Sequence, residues 1–300
     1  MFRYLPYDQT DSVPNVVVDG SANGATVLTL SHWPDAPTPL RWKRDLSAEI
    51  AFAFVDDGAP SDVRIVTNNH YDQDGLVSVF ALIEPEVAQQ HRELLIDVAA
   101  AGDFGTYCDR RAARASMVIA HWSDEGLGYD ETLPLLVEMS LDPEPHRSIW
   151  EAEDRHLTAS EHAVADGTVT IEELADLDLA IVTLPHDGPI GTAHRFAHET
   201  FEGIHPMAVH NATDRFRLLI VRGQRYCYID RYETWVQYQS RPTLPRVDLR
   251  PLATELSRDD ATDWWAGSPD DLVPMLHHAG SSDLDQTDLL DRLLATLGQR

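Results

Sequence analysis

The stretch Val63–Ile83, VRIVTNNHYDQDGLVSVFALI, decides the fold of the first half of the chain. It begins with a β-branched run that is typical of a buried strand and ends with an apolar run that is typical of a buried helix. The turn between them carries His70, Asp72 and Asp74. Side chains at alternate positions on such a turn can converge, and an imidazole with carboxylates suits Mn, Mg or Fe better than a thiol-loving metal. The alternative is that the two aspartates form the turn and cap the helix.

Two further strands end in side chains of the same ligand types. Residues 15–20, NVVVDG, form a predicted strand that ends at Asp19, and residues 25–30, ATVLTL, form one that is followed by His32. Strands of an open α/β sheet deliver functional side chains from their carboxyl ends, so both side chains are expected in the same crevice as His70. Taken singly, Asp19 can also be a turn residue and His32 a packed histidine.

The order of predicted elements indicates an α/β architecture. Helices are predicted over residues 45–54, with Asp45 as N-cap, over 86–101 and over 110–122. Helices that alternate with strands are typical of a mostly parallel sheet flanked by helices.

The composition between Leu141 and Gly167 changes to Pro, Glu, Asp and His, which is typical of a linker. We therefore expect an α/β metal-binding domain over residues 1–141, a linker with a helix over 142–167, and a smaller α+β substrate or cap domain over 168–300.

The second half has its own pattern of elements. Strands are predicted at 179–184, 216–221 and 226–238, a hairpin turn at 222–224, a capped helix start at 170–174, and an amphipathic helix at 284–297. The leucine stripe of the last helix is expected to dock on its own domain, with a homodimer contact as the alternative.

Cationic side chains of the second half are candidates for contact with an anionic substrate. Arg225 and Arg231 lie in a band of arginines and aromatic residues, and Arg195 and His198 lie in a histidine-rich segment. Half-buried strands often alternate aromatic and charged residues, so a structural role is the alternative for the band.

Charge excludes some classes of partner. The 300 residues include 50 acidic and 23 basic side chains, a formal charge of -27. A surface of that sign argues against coating duplex nucleic acid or an anionic membrane, because both require basic patches, whereas a small anion remains a suitable partner.

The two cysteines, Cys108 and Cys227, lie far apart and form no C-x-x-C motif. We interpret both as free thiols in a reducing compartment. The first residues contain no apolar signal region, and no apolar run approaches the ~18 residues of a membrane span. These features predict a cytoplasmic protein.

The turn NNHYDQDGLVSVFAL resembles the first motif of the DHH phosphoesterase superfamily, the H-x-D-x-D-G turn of RecJ-like nucleases, nanoRNases and manganese-dependent pyrophosphatases. VVVDGSANG resembles a second motif at Asp19, TLSHWPDAP resembles the naming Asp-His-His-Pro motif at His32, and VAAAGDFGTYCDRRAAR resembles a fourth motif at Asp103. Ser31 and Trp33 replace the Asp and the second His of the naming motif. The motif order also differs, which implies a circular permutation.

The resemblance implies a site with two Mn²⁺ or Mg²⁺ ions. One ion would be held by His70, Asp72 and Asp19, and the other by Asp74, Asp19, His32 and Asp103, with Asp19 bridging. Asp19, His32 and Asp74 would be the catalytic residues among them. The implied reaction is hydrolysis of a small phosphate ester or short nucleotide. The alternatives are a binding or regulatory protein that keeps the fold without the chemistry, and an unrelated hydrolase in which the turn is accidental.

Overall fold

The computed structural model describes residues 2–58, 62–186 and 201–298. The chain forms two compact units. Unit 1 comprises Met1–Ala152 and Val236–Pro242, and unit 2 comprises Glu153–Trp235 and Thr243–Arg300. A short segment of the second half therefore belongs to unit 1, a feature that the sequence-based division into 1–141, 142–167 and 168–300 does not contain.

Unit 1 contains a parallel sheet whose strand order is β1-β4-β2-β3 in the described part of the chain. Its strands are β1 Arg3–Tyr4, β2 Asn15–Val18, β3 Thr26–Leu30 and β4 Ile65–Thr67. The apolar residues of β2, Val16 to Val18, have no exposed surface. A strand that is buried on both faces is typical of a parallel sheet covered by helices, because the crossovers lie on the faces.

Helices connect and cover these strands. They are α1 Ser47–Asp56, α2 Gln73–Ile83, α3 Pro85–Gln90, α4 Arg92–Asp103, α5 Arg110–Asp124, α6 Tyr129–Thr132 and α7 Leu136–Leu141. Helix α8, Arg147–Ala165, begins in unit 1 and continues in unit 2. The single helix predicted over 86–101 is wrong, because His91 has non-helical dihedral angles (φ -120°, ψ 18°) and separates α3 from α4. Helix α8 occupies most of the predicted linker and buries Trp150 and Leu157.

Unit 2 contains a mixed sheet of strand order β5-β6-β7-β8-β10-β9 among the described residues. The strands are β5 Thr170–Leu174, β6 Leu179–Leu184, β7 Arg217–Arg222, β8 Arg225–Asp230, β9 Trp264–Ala266 and β10 Met275–His278. The helix start predicted at 170–174 is wrong, since these residues pair antiparallel with β6. The hairpin turn at 222–224 is confirmed: β7 and β8 are antiparallel, and Gly223 between them has φ +58°.

The two faces of the unit 2 sheet carry separate hydrophobic clusters, because alternate residues of a strand point to opposite faces. Leu179 and Ile181 belong to one cluster, and Ala180 and Val182 belong to the other. The helices of this unit are α9 Pro206–His210, α10 Arg250–Asp259 and α11 Gln286–Leu297. Leu289, Leu293 and Leu297 of α11 are buried in the first cluster, which confirms that the leucine stripe packs on its own unit.

The predicted fold class is confirmed as α/β, with a parallel sheet in unit 1, a mixed sheet in unit 2, and flanking helices. Within the described ranges, no helix has the length and apolar character that crossing a membrane requires.

Candidate metal centre

Asp19 leaves the carboxyl end of β2 in a left-handed conformation, with φ +44°. This conformation is uncommon for a residue other than glycine, although Asp and Asn adopt it more readily than most. Its backbone N–H donates to Leu30 O at 2.9 Å, which fixes the turn against the end of β3. The carboxylate is 1% exposed and accepts a hydrogen bond from Ser47 Oγ at 2.8 Å. The strained turn therefore holds a buried charged group in a defined position.

His32 follows β3 and is also buried, with 1% of its surface exposed. Its Nδ1 lies 2.6 Å from Asp45 O. A carbonyl oxygen can only accept, so Nδ1 carries the proton and the lone pair of the neutral ring is on Nε2. Nε2 lies 3.6 Å from Asp19 Oδ1, 3.9 Å from Asp74 Oδ2 and 3.4 Å from Asp103 Oδ2. With Nδ1–H committed to Asp45 O, the Nε2 lone pair faces three carboxylates.

Asp72 is both the N-cap of α2 and a member of the cluster. Its Oδ1 accepts from Gly75 N at 2.8 Å, and its Oδ2 lies 2.8 Å from His70 Nε2. One oxygen of the Asp72 carboxylate therefore caps the helix, as the alternative interpretation predicts, and the other faces His70, as a shared metal site would require. Gly75 is required by close packing, because a Cβ there would lie 2.3 Å from Asn68 Nδ2 and 2.6 Å from Tyr129 Oη.

Asp74 is held by the first turn of α1. Its Oδ2 accepts from Ser47 N at 2.8 Å and its Oδ1 accepts from Ala48 N at 2.6 Å. These are N–H groups that a helix leaves without an internal partner, and a carboxylate beside them is favoured by the helix dipole. The predicted N-cap role of Asp45 is wrong: Leu46 is the N-cap residue, and the Asp45 carboxylate accepts from Gln239 N and Ser240 N.

The structure brings together all six side chains that the sequence nominated as ligands: Asp19, His32, His70, Asp72, Asp74 and Asp103. They form two groups in which the potential ligand atoms lie within 4.8 Å of one another. One group is Asp19, His70 and Asp72, and the other is Asp19, His32 and Asp74. Asp103, the last residue of α4, joins the second group through His32. Asp19 is the residue that both groups share.

Burial and charge set the protonation of the cluster. Burial lowers the pKa of His70, but the Asp19 and Asp72 carboxylates outweigh it and raise the pKa to about 11. Burial, together with the charges of Asp19 and Asp72, raises the pKa of Asp74 well above its ordinary value. For His32, burial is the largest influence and lowers the pKa. The carboxylates therefore favour the protonated form of His70, and their mutual repulsion disfavours a further negative charge on Asp74.

The donor set fits a hard divalent cation. Asp19 Oδ2 lies 3.3 Å from His70 Nε2, but this atom is buried and accepts no hydrogen bond of acceptable geometry among the described residues. The ion pair with His70 therefore leaves this buried oxygen without a hydrogen bond from the described residues. A carboxylate in that setting suits a cation, because the desolvation of a buried charge is otherwise costly. Carboxylate oxygens with imidazole nitrogens are the ligands of Mn²⁺ and, with fewer nitrogens, of Mg²⁺.

Sequence reasoning missed the residues that support the ligands. Ser47 contacts Asp19 through its hydroxyl and Asp74 through its N–H, and its hydroxyl accepts from His32 N at 3.1 Å. Asp45 contributes a backbone carbonyl to His32. Backbone groups leave no signature in a sequence, and a lone serine at a helix start is common, so no available signal identified them.

Ser31 and Trp33 occupy the positions that differ from the superfamily motif. Ser31 Oγ accepts from Gly20 N at 3.1 Å and from Trp33 N at 3.2 Å, so it ties together the turns that carry Asp19 and His32. The Trp33 ring packs on His70, with centroids 5.1 Å apart and planes tilted by 31°. Both replacements are thus built into the walls of the cluster.

The predicted substrate contacts lie outside unit 1. Arg231 is 3% exposed, forms an ion pair with Glu233 and donates to Thr213 O at 3.3 Å, so its guanidinium is occupied within the fold of unit 2. Arg225 is more exposed and donates to Glu202 Oε1 at 2.7 Å. Arg195 and His198 lie outside the described residues. Of the two predicted substrate contacts that the structure describes, Arg225 is therefore the more exposed.

A family model with the description "Family of unknown function (DUF6687)" matches residues 1–292. The chain belongs to the DUF6687 family. The match spans both units, so the candidate centre and the mixed sheet of unit 2 belong to one family architecture. Comparison with curated proteins and with solved structures gave no match. The DUF6687 description names no activity, and the resemblance to DHH phosphoesterases stays a prediction.

Proposed function

We propose that this DUF6687 protein is a metal-dependent phosphoesterase of the DHH type, acting on a small phosphate ester or short nucleotide. The observation that carries the proposal is the shared carboxylate of Asp19, which belongs to both His/Asp groups of the cluster. A carboxylate that two nitrogen- and oxygen-rich groups share can bridge a pair of hard cations.

The protein's own residues would hold the reacting partners. Asp19 would join the two groups, and His32 would present Nε2 because its Nδ1–H is committed to Asp45 O. The α1 N-terminus fixes the orientation of Asp74 before any ligand arrives. Two bound Mn²⁺ or Mg²⁺ ions would supply a water of lowered pKa as nucleophile and would stabilise the phosphoryl oxygens during in-line displacement.

The charge of the chain supports a small substrate. With a formal charge of -27, the surface disfavours a long polyanion, whereas cations in the centre would invert the local charge and admit one phosphate group. A phosphomonoester, a phosphodiester or a short nucleotide satisfies both conditions.

The test is release of phosphate or nucleotide from a panel of mono- and diesters with added Mn²⁺, beside elemental analysis. Asp19→Asn and Asp74→Asn should reduce hydrolysis by orders of magnitude, because an amide does not supply the anionic charge that holds a hard cation. The matched control is Asp56→Asn, which changes an exposed carboxylate paired with Arg92 and should leave hydrolysis intact. Equal activity in all three variants would overturn the proposal.

A catalytically silent binding protein is the second candidate, and the position of Trp33 on His70 favours it. That position carries a phosphate-binding histidine in the superfamily motif. Trp33→His should raise activity if the native chemistry is conventional but impaired. Bound Mn²⁺ without turnover of any ester, in both the wild type and Trp33→His, would select the binding protein.

A further inference from the structure

The segment Val236–Pro242, here called the strap, is the part of the second half that belongs to unit 1. Both of its ends are covalently joined to unit 2, at Trp235 and at Thr243. Hydrogen bonds of the strap reach the segment from His32 to Asp45, which lies between β3 and α1 and is far away in sequence. The strap is therefore placed to control the geometry of that ligand.

Gln237 makes the central contacts of the strap. Its backbone N–H donates to His32 O at 2.7 Å, and its side-chain Nε2 donates to Trp33 O at 2.7 Å and to Ala36 O at 3.2 Å. Its Oε1 accepts from Lys43 Nζ. One amide side chain thus fixes the whole turn that follows β3.

The strap also holds the group that fixes the His32 ring. The Asp45 carboxylate accepts from Gln239 N at 2.5 Å and from Ser240 N at 2.9 Å. The carbonyl of the same Asp45 accepts from His32 Nδ1. Both the backbone and the imidazole of His32 are consequently anchored to residues that the strap contacts.

A third contact reaches the other side of the same ligand group. Tyr238 packs edge-on against Phe104, with ring centroids 5.8 Å apart, and Phe104 directly follows Asp103. The Phe104 ring in turn lies 6.3 Å from the His32 ring. By contrast, the turn that carries His70 and Asp72 is held by Tyr129 Oη, which donates to His70 O, and by the start of α2.

We infer that the strap is a positioning element for the ligand group of His32 and Asp103, and that Gln237 is its principal positioning residue. The inference rests on the proposed metal centre. It makes the loading of one ion depend on a segment tethered to unit 2 at both ends, whereas the strap contacts the Asp19, His70 and Asp72 group only indirectly, through Trp33, in the hydrogen bonds and ring contacts described above.

In the test, Mn²⁺ is titrated into the metal-free 300-residue protein, and binding is measured by calorimetry and by electron paramagnetic resonance. Gln237→Ala should weaken the binding event of the His32 and Asp103 group by up to roughly 10–100-fold, the upper limit being the effect of removing a direct outer-shell partner of a ligand, and should weaken the other event less. The spin signal should change from an exchange-coupled manganese pair to an isolated Mn²⁺. Mn²⁺ binding to the Asp19, His70 and Asp72 group then shows that unit 1 of the variant is folded.

The matched control is Gln239→Ala. It removes an exposed amide that, among the described residues, donates to Gln237 O within the strap, and both Mn²⁺ binding events should be retained. Gln237→Glu provides a second variant, because it keeps the side-chain size and loses the N–H donors to Trp33 and Ala36. Two events of wild-type affinity in both Gln237 variants, or equal weakening of both events, would overturn the role of the strap. Absence of Mn²⁺ binding by the wild type would instead overturn the proposed function, and the strap's role with it.

Discussion

Asp19→Asn removes the charge of the shared carboxylate and keeps the structure around it. The residue has φ +44°, a conformation that Asn adopts as readily as Asp. The Asn side-chain oxygen can still accept from Ser47 Oγ, which lies 2.8 Å from the native carboxylate. The substitution therefore preserves the turn and removes the anionic charge that both ligand groups use.

The expected magnitude follows from linkage between binding and folding. At a free Mn²⁺ concentration of 100 times Kd, each site stabilises the folded state by about 2.7 kcal/mol, so two sites contribute about 5 kcal/mol. For a domain of this size, about 1 kcal/mol shifts Tm by about 2–4 °C, and the wild type should gain about 10–20 °C. Asp72→Asn disrupts one of the two His/Asp groups, so Mn²⁺ should raise its Tm by about half as much. Mn²⁺ should hardly raise the Tm of Asp19→Asn, because Asp19 belongs to both groups.

The assay is a thermal melt with and without Mn²⁺, with Asp56→Asn as the control that should behave like the wild type. Comparison at equal excess of chelator gives the intrinsic effect of each substitution on the folded state. If Asp19→Asn kept as large a Mn²⁺-induced gain in Tm as Asp72→Asn, the shared-ligand reasoning would be refuted.

Mn²⁺ affinity should rise with pH by up to roughly tenfold per unit for each proton released, because the pKa of His70 is raised to about 11 and a ligating imidazole must lose its proton. Calorimetry in buffers of different ionisation enthalpy measures this release, and a pH-independent affinity would contradict it. In the metal-free protein, Asp72→Ala should be less stable than Asp72→Asn by about 1 kcal/mol, because both variants lose the charge beside His70 and only Asn keeps the N-cap; equal denaturant midpoints of the two variants would argue against the cap. Gly102→Ala should destabilise unit 1 by about 1–2 kcal/mol net, since overpacking outweighs the gain in helix propensity: the new Cβ would lie 2.5 Å from Gln73 Cβ. Gly24→Ala, whose nearest neighbour is 4.0 Å away, should change the same denaturation midpoint little.

The strand, turn and helix of Val63–Ile83 could be predicted because each is encoded by local periodicity. The structure has β4 at Ile65–Thr67 and α2 at Gln73–Ile83. The convergence of Asp19 and His32 with this turn could be predicted for a topological reason, since parallel strands end at the same edge of a sheet. Local pattern and strand direction together were therefore sufficient to nominate Asp19, His32 and the turn from His70 to Asp74, whereas Asp103 was nominated through the resemblance to the DHH motifs.

The sequence was misleading where tertiary pairing overrides local preference. Residues 170–174, TIEEL, have the pattern of a capped helix start, yet they form β5 because the buried strand β6 offers them a complete antiparallel partner. The strap could not be predicted either. Gln237 bonds to residues about two hundred positions earlier, and an amide that contacts backbone carbonyls has no distinguishing motif.

The proposal that Asp19 joins two cations is tested most directly by anomalous diffraction from Mn²⁺-soaked crystals. Two manganese peaks are expected about 3.5–4 Å apart, with the Asp19 carboxylate between them. One peak should lie beside His70 and Asp72, and the other beside His32, Asp74 and Asp103. A single peak that Asp19 does not contact, or no peak in the cluster at saturating Mn²⁺, would contradict the proposed pair of cations.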